Sequence, residues 1–304
     1  MKIGIIGMGR VGTSVAISTL QQGVARELLL HDLHGELAEG EALDLAHGAA
    51  FYPAASVRVA DVAAMRDCDA VVIAAGRNGR ADESRLDLLR DNARVTAELA
   101  RGFAGFSGLL VMVSNPVDLL TQIAVEASGL PPARVLGTGT LLDTARLRHA
   151  IGRELAVDPR SVHAHVLGEH GDSEVVAWSA AHAAGSALRR WPGWTTAREA
   201  AIATEVRRAA YEIIRRKGAT NHAIGLATAA LLRWALRDER RAITISRVQD
   251  GVAGISGIAL SLPAIVGKAG ATTVIEPDLV DVERAALHAS ADALRAARAA
   301  LRAT

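Results

Sequence analysis

The chain contains little cysteine and no excess of either charge, and each shortage excludes a class of protein. Cys68 is the only cysteine among 304 residues, so no disulfide can form within the chain. Lysine and arginine number 34 against 33 aspartates and glutamates, which gives a net charge of +1. Such a balance offers no strong field to attract nucleic acid or an anionic membrane. We expect Cys68 to be a buried structural thiol and the protein to be cytoplasmic, where disulfides are rare.

Long hydrophobic runs are also missing. No stretch reaches the ~18–20 apolar residues that a membrane span needs. The segment from Met1 to Gly7 is apolar but short, and it lacks the basic start and the cleavage site of a signal peptide. With 50% hydrophobic and 22% charged residues, the composition is that of a globular protein that does not enter a membrane.

The first half of the sequence alternates short apolar runs with amphipathic stretches. The runs predict strands over Lys2–Ile6, Glu27–His31, Ala70–Ala75 and Leu109–Val113. The stretches between them predict helices over Arg10–Gln22, Glu36–His47 and Glu83–Arg101. Strictly alternating strands and helices favour an α/β fold with a doubly wound parallel sheet of the Rossmann type.

In the second half the stretches with helical spacing are longer, and the pattern predicts an α+β domain. Helices are predicted over Leu141–Leu155, Ala197–Arg216, His222–Leu236 and Asp278–Ala303. Strands are predicted over Val162–Leu167 and Glu174–Trp178, and a hairpin over Arg241–Ser246 and Ile258–Leu262. We expect two domains, 1–142 and 143–304, joined near Gly139–Asp143 without a flexible hinge.

A glycine-rich turn follows the first predicted strand. The segment Gly7-Met8-Gly9-Arg10-Val11-Gly12 fits the pattern G-x-G-x-x-G before a helix, where backbone can approach a pyrophosphate at the helix N-terminus. Asp32 ends the next predicted strand, where a carboxylate can bind ribose hydroxyls and repel a 2′-phosphate. The pattern therefore predicts NAD rather than NADP. The alternative is a structural turn with a surface aspartate.

Four charged segments stand where predicted strands end or helices begin. They contain Arg85, Asn115, Asp143 with Arg146, and His170. Reduction of a 2-oxo acid needs a cation for the carboxylate, a group that polarises the ketone and a proton donor near neutral pH. Arg146, Arg85 and His170 suit these three tasks, and Asp143 can hold the imidazole. Taken singly, the arginines also fit solvated helix positions and Asp143 a helix cap.

Three of these segments resemble one known family. Leu167–Ser173, Ser114–Asp118 and Leu142–Arg146 are similar to the signature segments of the lactate/malate dehydrogenase family, and more closely of its L-lactate dehydrogenase branch. The resemblance extends from Gly7 to about Gly267. It implies reversible hydride transfer between NADH and a 2-oxo acid such as pyruvate. It also implies a homo-oligomer, a dimer or a homotetramer.

The resemblance assigns roles to particular residues. His170 matches the proton-transfer histidine, Asp143 its carboxylate partner and Arg146 the arginine that holds the substrate carboxylate. The remaining matches are Arg85 on a mobile loop, Asn115 against the substrate and Thr220 in the pocket. We take Gly7, Gly9, Arg10, Val11, Gly12, Asp32, Gly76, Ser114 and Asn115 as the cofactor contacts.

One position departs from the family pattern. Counting without a gap between Gly76 and Arg85 places Gly79 where lactate enzymes usually carry glutamine and malate enzymes arginine. Arg80-Ala81-Asp82 replaces the Lys-Pro-Gly that usually follows. Glycine gives a second carboxylate no partner, so we expect a substrate range broader than pyruvate or shifted to bulkier 2-oxo acids. Two alternatives stay open: pyruvate is still preferred, or Arg77 and Arg80 support a malate-type substrate.

Two further alternatives concern regulation and class. Arg148 and His163 match positions that bind fructose 1,6-bisphosphate at a subunit interface in allosteric bacterial lactate dehydrogenases; the alternative is a pair of ordinary surface residues. The resemblance implies no metal. The alternative outside the enzymes is a catalytically silent protein that binds NAD as a sensor. The joint presence of four residues argues against it: Arg85, Asp143, Arg146 and His170.

Overall fold

A nine-stranded sheet organises the fold of the computed structural model, which describes residues 1–77 and 85–302. The strands are β1 (Lys2–Ile6), β2 (Glu27–His31), β3 (Ser56–Val59), β4 (Ala70–Ile73), β5 (Leu109–Met112), β6 (Val135–Gly137), β7 (Val162–His163), β8 (Val166–Leu167), β9 (Val175–Val176), β10 (His182–Ala183), β11 (Ser186–Ala187), β12 (Arg241–Asp250), β13 (Ser256–Gly267) and β14 (Gly270–Val274). The helices are α1 (Arg10–Gln21), α2 (Gly35–His47), α3 (Arg85–Arg101), α4 (Val117–Ser128), α5 (Leu141–Leu155), α6 (Thr196–Lys217), α7 (His222–Leu236) and α8 (Asp281–Arg302).

Six parallel strands form the first part of the large sheet. Their spatial order is β3-β2-β1-β4-β5-β6, which is the doubly wound arrangement that the sequence predicts. β4 and β5 are buried along their whole length, because helices cover both faces of the sheet. Helices α1, α2 and α7 pack on one face, and α3 and α4 on the other. Cys68 is buried in the second of these layers, as expected. The strand order reverses between β1 and β4, so the chain leaves both strands at the same crevice.

Three antiparallel strands extend the same sheet. β12 pairs with β6 through Ser246 and Gly137, and β13 and β14 follow in order. The predicted hairpin is therefore present, but it is longer than predicted and continues the sheet of the first half. Small residues permit this junction: a Cβ atom at Gly139 would lie 2.1 Å from Ser261 Oγ.

The predicted strand over 162–167 is wrong as a single element. The chain pairs with β10 at Val162–His163 and with β9 at Val166–Leu167. Two threonines bond Val166 instead: its N–H donates to Thr144 Oγ1 of α5 at 3.0 Å, and Thr140, just before α5, donates from Oγ1 to its carbonyl oxygen at 2.6 Å. This change of partner ends one strand and starts another, and it leads the chain into the loop that carries His170.

Among residues 1–77 and 85–302, no helix is long and apolar enough to cross a membrane.

Candidate active site

The glycine-rich turn between β1 and α1 has the shape that the pattern predicts. Gly7 adopts a φ of +96°, and a Cβ atom at Gly12 would lie 1.8 Å from the carbonyl oxygen of Gly7. Only glycine fits these two positions. A Cβ atom at Gly9 would meet nothing within 4 Å among the described residues, so the turn is open above Gly9. A pyrophosphate can therefore reach the backbone at the start of α1.

Asp32 closes this turn from the end of β2. Its Oδ2 accepts a hydrogen bond from the Met8 N–H at 2.7 Å, and its Oδ1 accepts one from the His34 N–H at 2.9 Å. A half-buried carboxylate thus lies beside the turn, where it suits ribose hydroxyls and disfavours a 2′-phosphate. In the same turn Arg10 is exposed and Val11 half-buried. This geometry fits NAD.

The ends of β4 and β5 complete the crevice. Ser114 donates from Oγ to the carbonyl oxygen of Ala75 at 2.6 Å, directly beside Gly76. Asn92, a buried residue of α3, accepts from the N–H of Arg77 at 3.0 Å and donates to the carbonyl oxygen of Asn115 at 3.2 Å. Asn92 therefore ties the two strand ends together. No sequence signal marks it, because its role depends on neighbours that are distant in sequence.

His170, Asp143 and Arg146 form one hydrogen-bonded group. Asp143 Oδ2 lies 2.5 Å from His170 Nδ1, and Asp143 Oδ1 accepts from an Arg146 terminal nitrogen at 2.7 Å. Asp143 and Arg146 share a face of α5 because they are three residues apart. Since Nδ1 is directed at Asp143, Nε2 is the ring nitrogen left for a substrate.

Burial and charge set the proton affinities in this group. Burial lowers the pKa of His170, but the charge of Asp143 and its hydrogen bond raise it further, to about 9. Burial raises the pKa of Asp143, yet the charges of His170 and Arg146 with their hydrogen bonds bring it below its usual value. Both directions describe an imidazolium paired with a carboxylate at neutral pH. His170 is therefore charged and able to donate a proton.

A cavity of about 370 Å³ opens onto this group. Its described lining combines His170, Asp143, Arg146 and Asn115 with apolar contributions from Leu88, Leu89 and Ala210 and with Pro116, Gly171, Asp172, Glu174, Arg207 and Tyr211. A lining that combines cationic and polar groups with apolar side chains suits a small, partly apolar anion.

Glu174 is a member of this lining that the sequence reasoning missed. It is only 5% exposed, and its Oε1 has no hydrogen-bond partner among the described residues. Burial and the nearby charge of Asp143 raise its pKa to about 8, against the opposing charges of His170, Arg207 and Arg146. A neutral carboxylic acid thus stands beside the His170 group at neutral pH.

Some of the predicted site residues lie outside the described lining of the cavity, and others fall outside the described residues. Thr220 lies half-buried in the turn between α6 and α7 and is not in the described lining of the cavity. Arg85 begins α3, but its side chain falls outside the described residues, as do Gly79 and Arg80-Ala81-Asp82.

Arg148 and His163 belong to a separate basic cluster. Arg148 donates from Nε to the carbonyl oxygen of Ala164 at 3.1 Å, next to His163. Burial and the charge of Arg241 lower the pKa of Arg148. Burial, Arg148 and His163 lower the pKa of His165 to about 4. Two arginines, Arg148 and Arg241, therefore lie close to two histidines, His163 and His165, outside the described lining of the cavity.

Comparison with known proteins gives a consistent result over nearly the whole chain. Residues 1–137 match the lactate/malate dehydrogenase NAD-binding domain, and residues 140–303 match the lactate/malate dehydrogenase alpha/beta C-terminal domain. An L-lactate dehydrogenase of Synechococcus sp. is 42% identical, with 97% of each chain covered. One from Thermus aquaticus is 43% identical, with 99% of each covered.

Solved structures agree with these relatives. The minor L-lactate dehydrogenase of Enterococcus mundtii, in a ligand-bound form, superposes with a TM-score of 0.95 at 40% identity and covers 97% of this chain and 96% of its own. A lactate dehydrogenase from a deep-sea metagenome library superposes with a TM-score of 0.96 at 38% identity, with 99% and 98% covered. By its turn for NAD, its His170 group and its likeness to these proteins, the chain belongs to the lactate/malate dehydrogenase family.

Proposed function

We propose that the protein is an NAD-dependent L-2-hydroxyacid dehydrogenase that interconverts a short 2-oxo acid and its 2-hydroxy acid, with pyruvate and L-lactate as the first candidates. The observation that carries the proposal is the shared carboxylate of Asp143, which binds His170 Nδ1 at 2.5 Å and Arg146 at 2.7 Å at the mouth of one cavity. It puts a proton donor and a carboxylate-binding cation side by side.

The proton transfer follows from the charge of His170. In the reducing direction its Nε2–H donates to the carbonyl oxygen of the substrate, and the ring is left neutral with its Nδ1–H on Asp143. Bound NADH supplies the hydride that the carbonyl carbon accepts. In the oxidising direction neutral His170 takes the hydroxyl proton, and Asp143 stabilises the resulting imidazolium.

Arg146 is suited to hold the substrate carboxylate. Its hydrogen bond to Asp143 uses one of five guanidinium donors and fixes the side chain, which is 14% exposed at the cavity. A planar guanidinium gives a carboxylate two parallel hydrogen bonds. We assign to Asn115, at the same wall, a contact with the substrate, and to Arg85 the polarisation of the ketone.

The apolar part of the lining favours an apolar substituent on the substrate. Leu88, Leu89 and Ala210 favour a monocarboxylic 2-oxo acid, whereas Arg207 in the same lining is the kind of group that a second carboxylate would need, and the kinetic panel below decides between them. The hypothesis that bulkier 2-oxo acids are accepted too rests on the absence of a side chain at Gly79.

A kinetic panel tests the proposal. We expect NADH oxidation with pyruvate, 2-oxoisocaproate or phenylpyruvate to exceed that with oxaloacetate, and His170→Asn to bind NADH while turning over far more slowly. Exclusive use of oxaloacetate would show a malate-type enzyme. No oxidation of NADH with any acid, with NADH binding intact, would show a silent NAD-binding protein.

Organisation and regulation extend the proposal. We assign 1–142 to cofactor binding and 143–304 to the substrate side, as the matches to 1–137 and 140–303 support. We propose a cytoplasmic dimer or tetramer, which sedimentation measurements would decide.

The basic cluster supports a role for a phosphorylated effector. Arg148 and Arg241 are cations close enough to affect one another, His163 lies next to Ala164, which Arg148 contacts, and a bisphosphate needs such groups. We expect fructose 1,6-bisphosphate to lower the substrate concentration for half-maximal rate. An unchanged rate and assembly state would remove the effector from the proposal, while the dehydrogenase assignment would stand.

A further inference from the structure

The loop that carries His170 is anchored through three successive backbone N–H groups. Gly168 N–H donates to the carbonyl oxygen of Ser261 on β13 at 2.9 Å. Glu169 N–H donates to Ser290 Oγ on α8 at 2.9 Å. His170 N–H donates to Asp118 Oδ2 on α4 at 2.7 Å. Three separate elements therefore fix the position from which the imidazole extends.

The third anchor differs from the other two in charge. Ser261 and Ser290 supply neutral acceptors, whereas Asp118 supplies a carboxylate that is only 2% exposed. Burying a carboxylate is far more costly than burying a neutral acceptor. The neighbouring bonds show that a neutral acceptor is enough to hold this loop, so anchoring alone does not account for a carboxylate at this place.

The negative charge of Asp118 acts on the imidazole of His170, because the two groups face each other. The imidazole and Glu169 face it from the loop, and Ser246 faces it from β12. His170 is the cationic group that faces the Asp118 carboxylate, whose Oδ1 is buried. His170 in turn is faced by Asp143 and Arg146 from α5, by Asp118 from α4 and by Glu174. Two carboxylates, one at the ring and one at the backbone, thus stabilise one imidazolium.

We propose that Asp118 is a positioning residue for proton transfer, which fixes the backbone of His170 and adds a second negative charge that favours the protonated ring. The proposal rests on the proton-transfer role of His170 given above. Asp118 does not line the described cavity, so it acts through His170 and not on the substrate.

The substitution Asp118→Asn separates charge from anchoring. Asparagine has the same size and keeps an oxygen that accepts the His170 N–H. We expect the alkaline midpoint of kcat/KM for 2-oxo acid reduction to fall by about half a pH unit or more, about threefold in the protonation constant. NADH affinity should not change. Asp118→Ser, also neutral but too short to keep the anchor, should shift the midpoint in the same direction and serves if the asparagine variant does not fold.

Ser290→Ala is the matched control, because it removes the adjacent anchor without changing charge. We expect it to lower the melting temperature and leave the pH midpoint in place. An unmoved midpoint in Asp118→Asn, with only the melting temperature altered, would make Asp118 a structural anchor and overturn the proposal. His170→Asn in the same assay distinguishes failure of this proposal from failure of the proposed function. If that variant keeps full activity with the wild-type pH profile, the proposed function itself fails.

Discussion

The pair between His170 and Asp143 supports a quantitative prediction for Asp143→Asn. The pair and its surroundings raise the pKa of His170 from the usual 6.5 to about 9. A rise of this size corresponds to about 3 kcal/mol in favour of the imidazolium. If the substitution returns the pKa to its usual value, the protonated fraction at pH 7.5 falls from about 97% to about 9%. We therefore expect at least a tenfold loss of reduction rate at that pH from protonation alone.

The assay is kcat/KM for 2-oxo acid reduction between pH 5.5 and pH 10, at saturating NADH. The wild-type rate should fall as the pH rises through about 9, and the variant's fall should begin near neutral pH. The same pair stabilises the fold fully below pH 6.5, and that contribution is lost as the pH rises through about 9. The variant should lack this pH-dependent part of its stability. An alkaline limb that stays near pH 9 in the variant would refute the reasoning.

Three further predictions follow from the described contacts. Glu174→Gln should abolish a rise in KM that the wild type shows as the pH passes about 8, where Glu174 gains a negative charge beside Arg146; an equal rise in the variant would exclude Glu174 as its source. Gly12→Ala should destabilise the fold by about 1–3 kcal/mol and weaken NADH binding, because its Cβ would meet a carbonyl oxygen at 1.8 Å. Gly9→Ala is the control: it has open space around it and should keep the wild-type melting temperature. Arg146→Lys should raise KM by about 10–150-fold, the loss of about 1.5–3 kcal/mol for a charged hydrogen bond, with NADH affinity unchanged as the control measurement.

The parts of the fold that the sequence predicts well are those with a clear local period. The strands Lys2–Ile6 and Glu27–His31 and the helices Leu141–Leu155 and His222–Leu236 are confirmed to the residue. Helix α4 is absent from the sequence prediction, because its first residues, Val117 and Asp118, also belong to the charged segment Ser114–Asp118. The joining of β12 to β6 was missed too, since it depends on close packing of small residues from distant parts of the chain.

The candidate site divides in the same way. A spacing of three residues predicts that Asp143 and Arg146 share a helix face, but their meeting with His170, 27 residues away, came from the family resemblance. Asn92, Asp118 and Glu174 acquire their roles from burial beside particular neighbours. A polar residue that the fold buries looks like any surface residue in a single sequence.

Because β6 pairs with β12, the chain cannot be divided between the two domains without exposing an edge of the sheet. Cutting after residue 142 would leave β6 with one row of open backbone donors and acceptors, and such an edge invites aggregation. The severed second part would lose the strand against which its hairpin rests. Cofactor turn and proton-donating loop are thus mounted on one continuous β-framework, through β1 at one place and through the Gly168–Ser261 bridge at the other. Backbone hydrogen bonds of the sheet therefore fix the distance between the glycine-rich turn and the loop that carries His170.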